Sequence, residues 1–243
     1  MAFFRDRSQN EDAFRSPIES ESAVREGFHR MASPFIVGIG GTTRGASSGG
    51  RMARSVLEAC ERRGAKTRMF AGPDLAALPH FAPESAERTY EQRAFVETVG
   101  RSDGLVVASP GYHGGISGLV KNAIDLLEDL RGDQRCYLEG RAVGLIVVAA
   151  GWQACGTTLS AMRDIVHAMR GWPTPIGIIV NTAAEQPFGP NGRLTNPDLR
   201  ALVEKQAEQI MDMARRDPAP STGDATIADA RPGFARGRAP AAE

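Results

Sequence analysis

The chain has 243 residues, and its 29 Lys and Arg are balanced by 29 Asp and Glu, for a formal net charge of +0. That length suits one domain with a full core, and a neutral balance argues against a nucleic-acid or membrane-surface partner, each of which leaves a basic excess. Cys60, Cys136 and Cys155 form no Cys-x-x-Cys pair and read as free thiols of a reducing compartment, while 4 histidines without a His-Glu-x-x-His spacing leave little from which to build a metal site.

In chain order, residues 1–30 are polar and charged with isolated Phe3, Phe4, Phe14 and Phe28. They are expected to form an N-terminal arm outside the core. The start has no apolar run of the signal-peptide kind, so a cytoplasmic location is expected. Residues 31–216 alternate between two periodicities. A strand over 35–39 leads to a helix carrying Met52, Val56, Leu57 and Cys60 at helical spacing, with Gly64 as its stop. A weaker strand follows over 66–70, then a charged helix over 86–99. Residues 104–108 form a third strand and 118–130 a helix with Leu119, Ala123, Leu126, Leu127 and Leu130 inward. Residues 142–150, without polar alternation, are the most deeply buried strand, although far too short to cross a bilayer. A helix over 157–169, a strand over 176–180 and a helix over 196–213 close the domain, with Asn196-Pro197 as N-cap and first helical residue. Residues 217–243 are rich in Pro, Ala and Gly and are expected to be a disordered tail.

Five strands that alternate with helices predict an α/β fold, a doubly wound parallel sheet with helices on both faces. The expected strand order is the flavodoxin-like 2-1-3-4-5, which places a ligand where the winding reverses, between the first and third strands. Those two strands lead into the two most informative loops.

The first loop is Gly40-Gly41-Thr42-Thr43-Arg44-Gly45-Ala46-Ser47-Ser48. Thr42, Thr43, Ser47 and Ser48 supply hydroxyls, Arg44 a planar cation, and the backbone amides and the next helix start point at the same place. A monophosphate suits this set. The loop lacks the Gly-Lys-Ser/Thr of a Walker A motif and the last glycine of a dinucleotide fingerprint. A plain strand-to-helix turn capped by its Ser and Thr is the competing reading. The second loop, Ser109-Pro110-Gly111-Tyr112-His113-Gly114-Gly115, carries one aromatic among glycines that admit close approach. It suits a flat heteroaromatic ring, with His113 either at the ring edge or in solvent. Lys121 reads as a phosphate contact or a surface charge, and Asn122 as a brace for the loop backbone. A third loop after residue 150 brings Gly151, Trp152 and Gln153 to the opposite rim of the same crevice. Cys155, among uncharged neighbours, reads as structural, and His167 as a packed or surface residue.

At these residues the chain resembles the NAD(P)H-dependent FMN reductases. Gly41-Thr42-Thr43-Arg44-Gly45-Ala46-Ser47-Ser48-Gly49 is similar to their phosphate loop G-S-x-R-x-x-S-x-N, with Arg44 and Ser47 matching and Gly49 in place of Asn. Residues 109–125 resemble P-E-Y-N-x-x-x-P-G-x-L-K-N-x-x-D, with Pro110, Tyr112, Gly118, Lys121, Asn122 and Asp125 matching and Gly111, His113 and Ser117 departing. The likeness covers about residues 34–182. It implies bound FMN, its phosphate at Arg44 and Ser47 and its ring against residues 112–115, facing residues 151–153. It also implies a homodimer or homotetramer whose partner subunit helps close the pocket.

The function expected is hydride transfer from NADH or NADPH to the flavin in one cleft, with a second substrate then taking the electrons. The cofactor carries the chemistry, so no catalytic side chain is expected. Free flavin as acceptor would make the chain the reductase partner of a flavin-dependent monooxygenase; a quinone, azo compound or other small oxidant would make it a self-contained reductase. The remaining alternative is a non-catalytic flavin-binding regulatory or interaction protein.

Overall fold

The computed structural model describes residues 33–44 and 46–216. The arm expected over 1–30 and the tail expected over 217–243 lie outside the described residues.

Strand β1 (Phe35–Gly40) is followed by helix α1 (Ser48–Glu61), strand β2 (Lys66–Phe70) and the short helix α2 (Gly72–Ala76). Helix α3 (Tyr90–Gly100) leads to β3 (Gly104–Tyr112), which turns back into the two-residue strand β4 (Gly115–Ile116). Helix α4 (Gly118–Asp125) ends in a 3-10 turn (Leu126–Leu130), and β5 (Ala142–Ala149), α5 (Trp152–Ala168), β6 (Trp172–Asn181) and α6 (Pro197–Arg216) complete the chain. The sheet order is β2-β1-β3-β5-β6 with every neighbouring pair parallel, and β4 pairs antiparallel with the end of β3. The parallel strands thus stand in the flavodoxin-like order read from the sequence.

Helices cover both faces, so the central strands read as continuous apolar runs. Alternate residues of each strand part to opposite sides: Leu105 and Val107 join Phe95, Val120, Leu127 and Met162 in one core. Val106 and Ala108 pack with Met52, Val56, Val203 and Ile210 under α1 and α6 in the other.

Boundaries moved where local chemistry outweighed periodicity. The charged helix starts at Tyr90 because Thr89 caps it, its hydroxyl accepting from the Gln92 amide and the Gln92 side chain answering back to the Thr89 amide. The helix expected over 118–130 tightens into 3-10 geometry after Asp125. The last strand is longer than expected and tolerates Pro173 and Pro175 as an edge strand. Its register jumps from Val143↔Pro173 to Leu145↔Gly177. The displaced backbone is met from α6: the Ile176 amide donates to Gln209 Oε1 (3.1 Å), and Gln206 Nε2 donates to the Ile176 carbonyl (2.9 Å). Asn196 caps α6 as expected, its Oδ1 accepting from the amides of Asp198 and Leu199.

Candidate functional site

β1 leaves the sheet through Gly40, whose φ is +147° and where a Cβ would stand 2.2 Å from the Ala108 carbonyl oxygen, so only glycine fits this exit. The Gly41 amide then donates to that same carbonyl at 3.3 Å, tying the start of the first loop to the middle of β3. Ser47 is the N-cap of α1: its hydroxyl accepts from the amides of Gly50 (3.2 Å) and Thr42 (3.3 Å). The Thr42 hydroxyl accepts from the Arg44 amide at 3.3 Å. Thr42 and Ser47 therefore shape the loop, as the capping reading anticipated. Thr43 and Arg44 are exposed and Ser48 half-buried. No acidic residue occupies the first turn of α1, so its positive end is not neutralised by its own side chains.

The second segment is less of a loop than its composition implied. β3 continues through Ser109, Pro110 and Gly111 to Tyr112, because Ser109 and Pro110 still pair with Val147 and Val148 of β5. Proline is tolerated in this central strand because Pro110 lies beyond Ala108, the last residue with a partner in β1; the side on which its N–H would donate has no strand left. Tyr112 and Gly115 pair across a two-residue turn in which His113 and Gly114 both have positive φ (53° and 80°), as a type I′ hairpin requires. Tyr112 is 55% exposed at its rim and His113 is exposed. The buried Ser109 hydroxyl fastens the hairpin base, donating to the Pro110 carbonyl (2.9 Å) and accepting from the Ser117 amide (3.0 Å). Ser117 in turn caps α4.

Trp152 and Gln153, expected in a third loop, are the first turn of α5, with Gly151 as its N-cap. The helix starts five residues before the expected position because residues 152–156 contain no proline and the glycine there costs too little to stop it. Trp152 remains 57% exposed. This turn is packed against the hairpin: a Cβ on Gly111 would lie 3.0 Å from Thr158 Oγ1, 3.1 Å from Ala149 Cβ and 3.1 Å from the Ala154 carbonyl, and one on Gly114 would lie 3.3 Å from Thr157 Oγ1. The departure from the resembled signature at Gly111 thus has a steric reason, since α5 fills the space of a side chain there.

All three segments consequently meet at the carboxyl edge of β1, β3 and β5. Gly49 of α1 marks the junction, since its Cβ would be 3.8 Å from Gly41 Cα and 3.9 Å from both Ala108 Cβ and Val148 Cγ2. Two residues serve elsewhere. Lys121 pairs with Asp125 on the exposed side of α4 (2.5 Å). Asn122 braces residues 78–81 rather than its own loop, accepting from the Phe81 amide (2.8 Å) and donating to the carbonyls of Leu78 (3.3 Å) and Pro79 (3.1 Å). Cys155 is buried with its thiol toward the Val180 carbonyl (3.5 Å), and burial raises its pKa, which matches the structural reading. His167 is exposed on α5.

The sequence reading passed over Ser109, Gln92 and Thr158. Gln92 follows Thr89 at capping-box spacing, a visible signal. Thr158 has none; it is fully buried beneath Gly111, and its hydroxyl has no hydrogen-bond partner among the described residues.

Residues 34–185 match the family described as NADPH-dependent FMN reductase. An FMN-dependent NADPH-azoreductase of Staphylococcus haemolyticus is 36% identical over 84 residues, which span 35% of this chain and 41% of that protein. Among solved structures, an oxidoreductase from Corynebacterium diphtheriae superposes with a TM-score of 0.59 at 21% identity, over 76% of this chain and 98% of that one. FerB, a flavoenzyme NAD(P)H:(acceptor) oxidoreductase from Paracoccus denitrificans, gives 0.60 at 17% identity, over 75% and 99%. These structures share the fold; the family match covers more than half of the sequence and includes every segment of the edge just described, and the chain belongs to the NADPH-dependent FMN reductase family.

Proposed function

We propose that the chain is an NAD(P)H-dependent flavin reductase that binds FMN across the carboxyl ends of β1, β3 and β5. The observation that carries this reading is the joining of the first loop to the hairpin strand through the Gly41 amide and the Ala108 carbonyl. The donor set fits the cofactor: a glycine-walled loop at an un-neutralised helix start with an exposed arginine suits a phosphate dianion, and exposed Tyr112 and Trp152 beside a glycine turn suit a flat ring.

In this reading Arg44 and the amides at the start of α1 hold the phosphate, while Ser47 and Thr42 keep the loop in shape for it. Ser48 contributes a hydroxyl at the same end of α1. Pro110, Gly111, His113 and Gly114 present backbone to the ring, Tyr112 flanks it, and Gly151, Trp152 and Gln153 form the facing rim. FMN bound there would supply the redox chemistry of moving a hydride equivalent from a nicotinamide to an acceptor. The protein's part would be to orient the nicotinamide against that group and limit water at the contact; no side chain has to act as nucleophile. Small-molecule acceptors follow from an open edge rimmed by aromatics, and the azoreductase relative favours an azo or quinone compound as much as free flavin supplied to a monooxygenase. Exposed Tyr112 and Trp152 also suit a homodimer or homotetramer closing over the ring. Three unpaired cysteines support a reducing, cytoplasmic setting. Among the described residues no helix is long and apolar enough to cross a membrane.

The test is NADH and NADPH oxidation by the FMN-reconstituted protein with an azo dye, a quinone and free flavin in parallel. Turnover that requires FMN is expected; FMN binding without any nicotinamide oxidation would favour the non-catalytic flavin-binding alternative.

A further inference from the structure

Arg51 lies one turn into α1, half-buried, and three elements meet at its guanidinium. Its Nε donates to the Ala46 carbonyl at 3.1 Å, on the limb of the first loop that returns to the helix. Its Cζ stands 4.9 Å from the centroid of the Phe188 ring. Phe188 belongs to a built lobe between β6 and α6 rather than a loose connection. It forms a bridge with Leu194, the Gly189 amide donates to the Arg193 carbonyl (2.9 Å), and Thr195 Oγ1 donates to the Pro187 carbonyl (3.2 Å). Asn196 Nδ2 closes its base on Glu185 Oε2 (2.8 Å). Phe188 and Leu194 both pack on the core beneath α1 and α6.

We infer that Arg51 is a positioning residue: clamped between the Ala46 carbonyl and the Phe188 ring, it sets the shape of the first loop and hence the affinity for a phosphate held there. This rests on the FMN site proposed above. Arg51 acts on the loop backbone and leaves the phosphate contact itself to Arg44. The face of an aromatic ring suits a guanidinium, which stacks flat and keeps its in-plane N–H groups free to donate. Lysine's ammonium is a compact tetrahedral donor and has no plane to lay on the ring. Among the described residues, the other restraints on the returning limb gather at Ser47, whose hydroxyl takes the Thr42 and Gly50 amides and whose amide reaches the Arg44 carbonyl at 3.3 Å, so that Arg51 is what holds Ala46. Removing the clamp therefore loosens the part of the site that meets phosphate and leaves the hairpin and α5 rim untouched.

The clamp is tested by comparing FMN with riboflavin, which has the same ring and no phosphate, by fluorescence titration of the unliganded protein. Arg51→Met and Phe188→Leu are each expected to weaken FMN by about tenfold with riboflavin affinity unchanged, which is about 1.4 kcal/mol. The double variant is expected to lose no more than either single one, because the two side chains form one unit. Arg51→Lys should behave like Arg51→Met. Thermal unfolding of the unliganded variants near the parent value would confirm an intact fold. The inference is overturned if Arg51→Met binds FMN as the parent does, or if it loses FMN and riboflavin alike. It is also overturned if Arg51→Met weakens FMN while Phe188→Leu does not, which would make Arg51 a direct phosphate ligand. A parent protein that binds neither flavin would instead remove the site on which the inference stands.

Discussion

At Gly111 the surroundings decide the residue. Two of the three atoms a Cβ would meet are the Ala149 methyl and the Ala154 carbonyl, neither of which can rotate away. Gly111→Ala is therefore expected to destabilise the fold by about 1–3 kcal/mol, the usual range for overpacking, measured by denaturant unfolding. The neighbouring Thr158 makes the opposite prediction. Its hydroxyl is buried and unpartnered among the described residues, so Thr158→Val removes a desolvated polar group while keeping the shape. Stability should stay level or rise by about 1 kcal/mol; a clear loss would mean that the hydroxyl has a partner. Ser47 is the contrasting hydroxyl, with two amide donors, and Ser47→Ala should cost about 1 kcal/mol. That role was visible in the sequence, because a Ser before a helical pattern is a capping signal. Thr158 was invisible, because its significance comes from a glycine 47 positions away.

At the level of elements, every parallel strand and every major helix was legible from apolar spacing, and so was their order. The errors fall where a second interaction overrides periodicity. Ser109 to Tyr112 read as loop because Pro and Gly punctuate sequences, yet β5 goes on pairing with this stretch after β1 has ended. Trp152 and Gln153 read as loop because Gly151 and Gly156 flank them, yet the Cys155 amide already donates to the Gly151 carbonyl (3.1 Å) and α5 begins at Trp152. The short hairpin was missed because His113, rather than the usual Asn or Asp, takes the first left-handed position. Element contacts also carry a pH dependence. Glu204 of α6 accepts from Arg62 (2.5 Å) and Arg63 (2.6 Å) of the turn after α1, and chiefly the Arg63 hydrogen bond holds its pKa below the ordinary 4.5. A depressed carboxylate stabilises the fold above its unfolded value, and that contribution disappears as the pH falls through the lower, folded-state one. Because Glu204 is partly exposed, the effect is modest. The stability gap between the parent and Glu204→Gln should be measurable near pH 7 and shrink as the pH falls below 4.5; a gap that widens in acid would contradict the sign.

Across the whole molecule, the two ends of the sheet differ in purpose. The amino end is closed by Arg141, fully buried, whose guanidinium donates to the carbonyls of Ser102 (3.0 Å), Tyr137 (3.0 Å) and Gly100 (2.5 Å), with burial drawing its pKa down to about 10. Arg141→Ala would leave those carbonyls without this donor and is expected to cost 3 kcal/mol or more, by the order of magnitude for breaking a buried charged network. The carboxyl end instead carries exposed Arg44, Tyr112 and Trp152. All three cysteines are buried and free, and burial pushes the Cys60 thiol up to about 12. A thiol reagent should label none of them until the chain is unfolded.

The carboxyl edge as a single flavin site is tested most directly with the intrinsic fluorophores. Of the 2 tryptophans, Trp152 stands at that edge, whereas Trp172 begins β6 at the other end of the sheet. In Trp172→Phe, FMN titration should quench Trp152 to saturation at one FMN per chain. Adding Arg44→Met should move the FMN midpoint by about tenfold or more while leaving the riboflavin midpoint in place. No quenching of Trp152, or an FMN midpoint indifferent to Arg44, would contradict a site that holds phosphate at the end of β1 and ring at the end of β3.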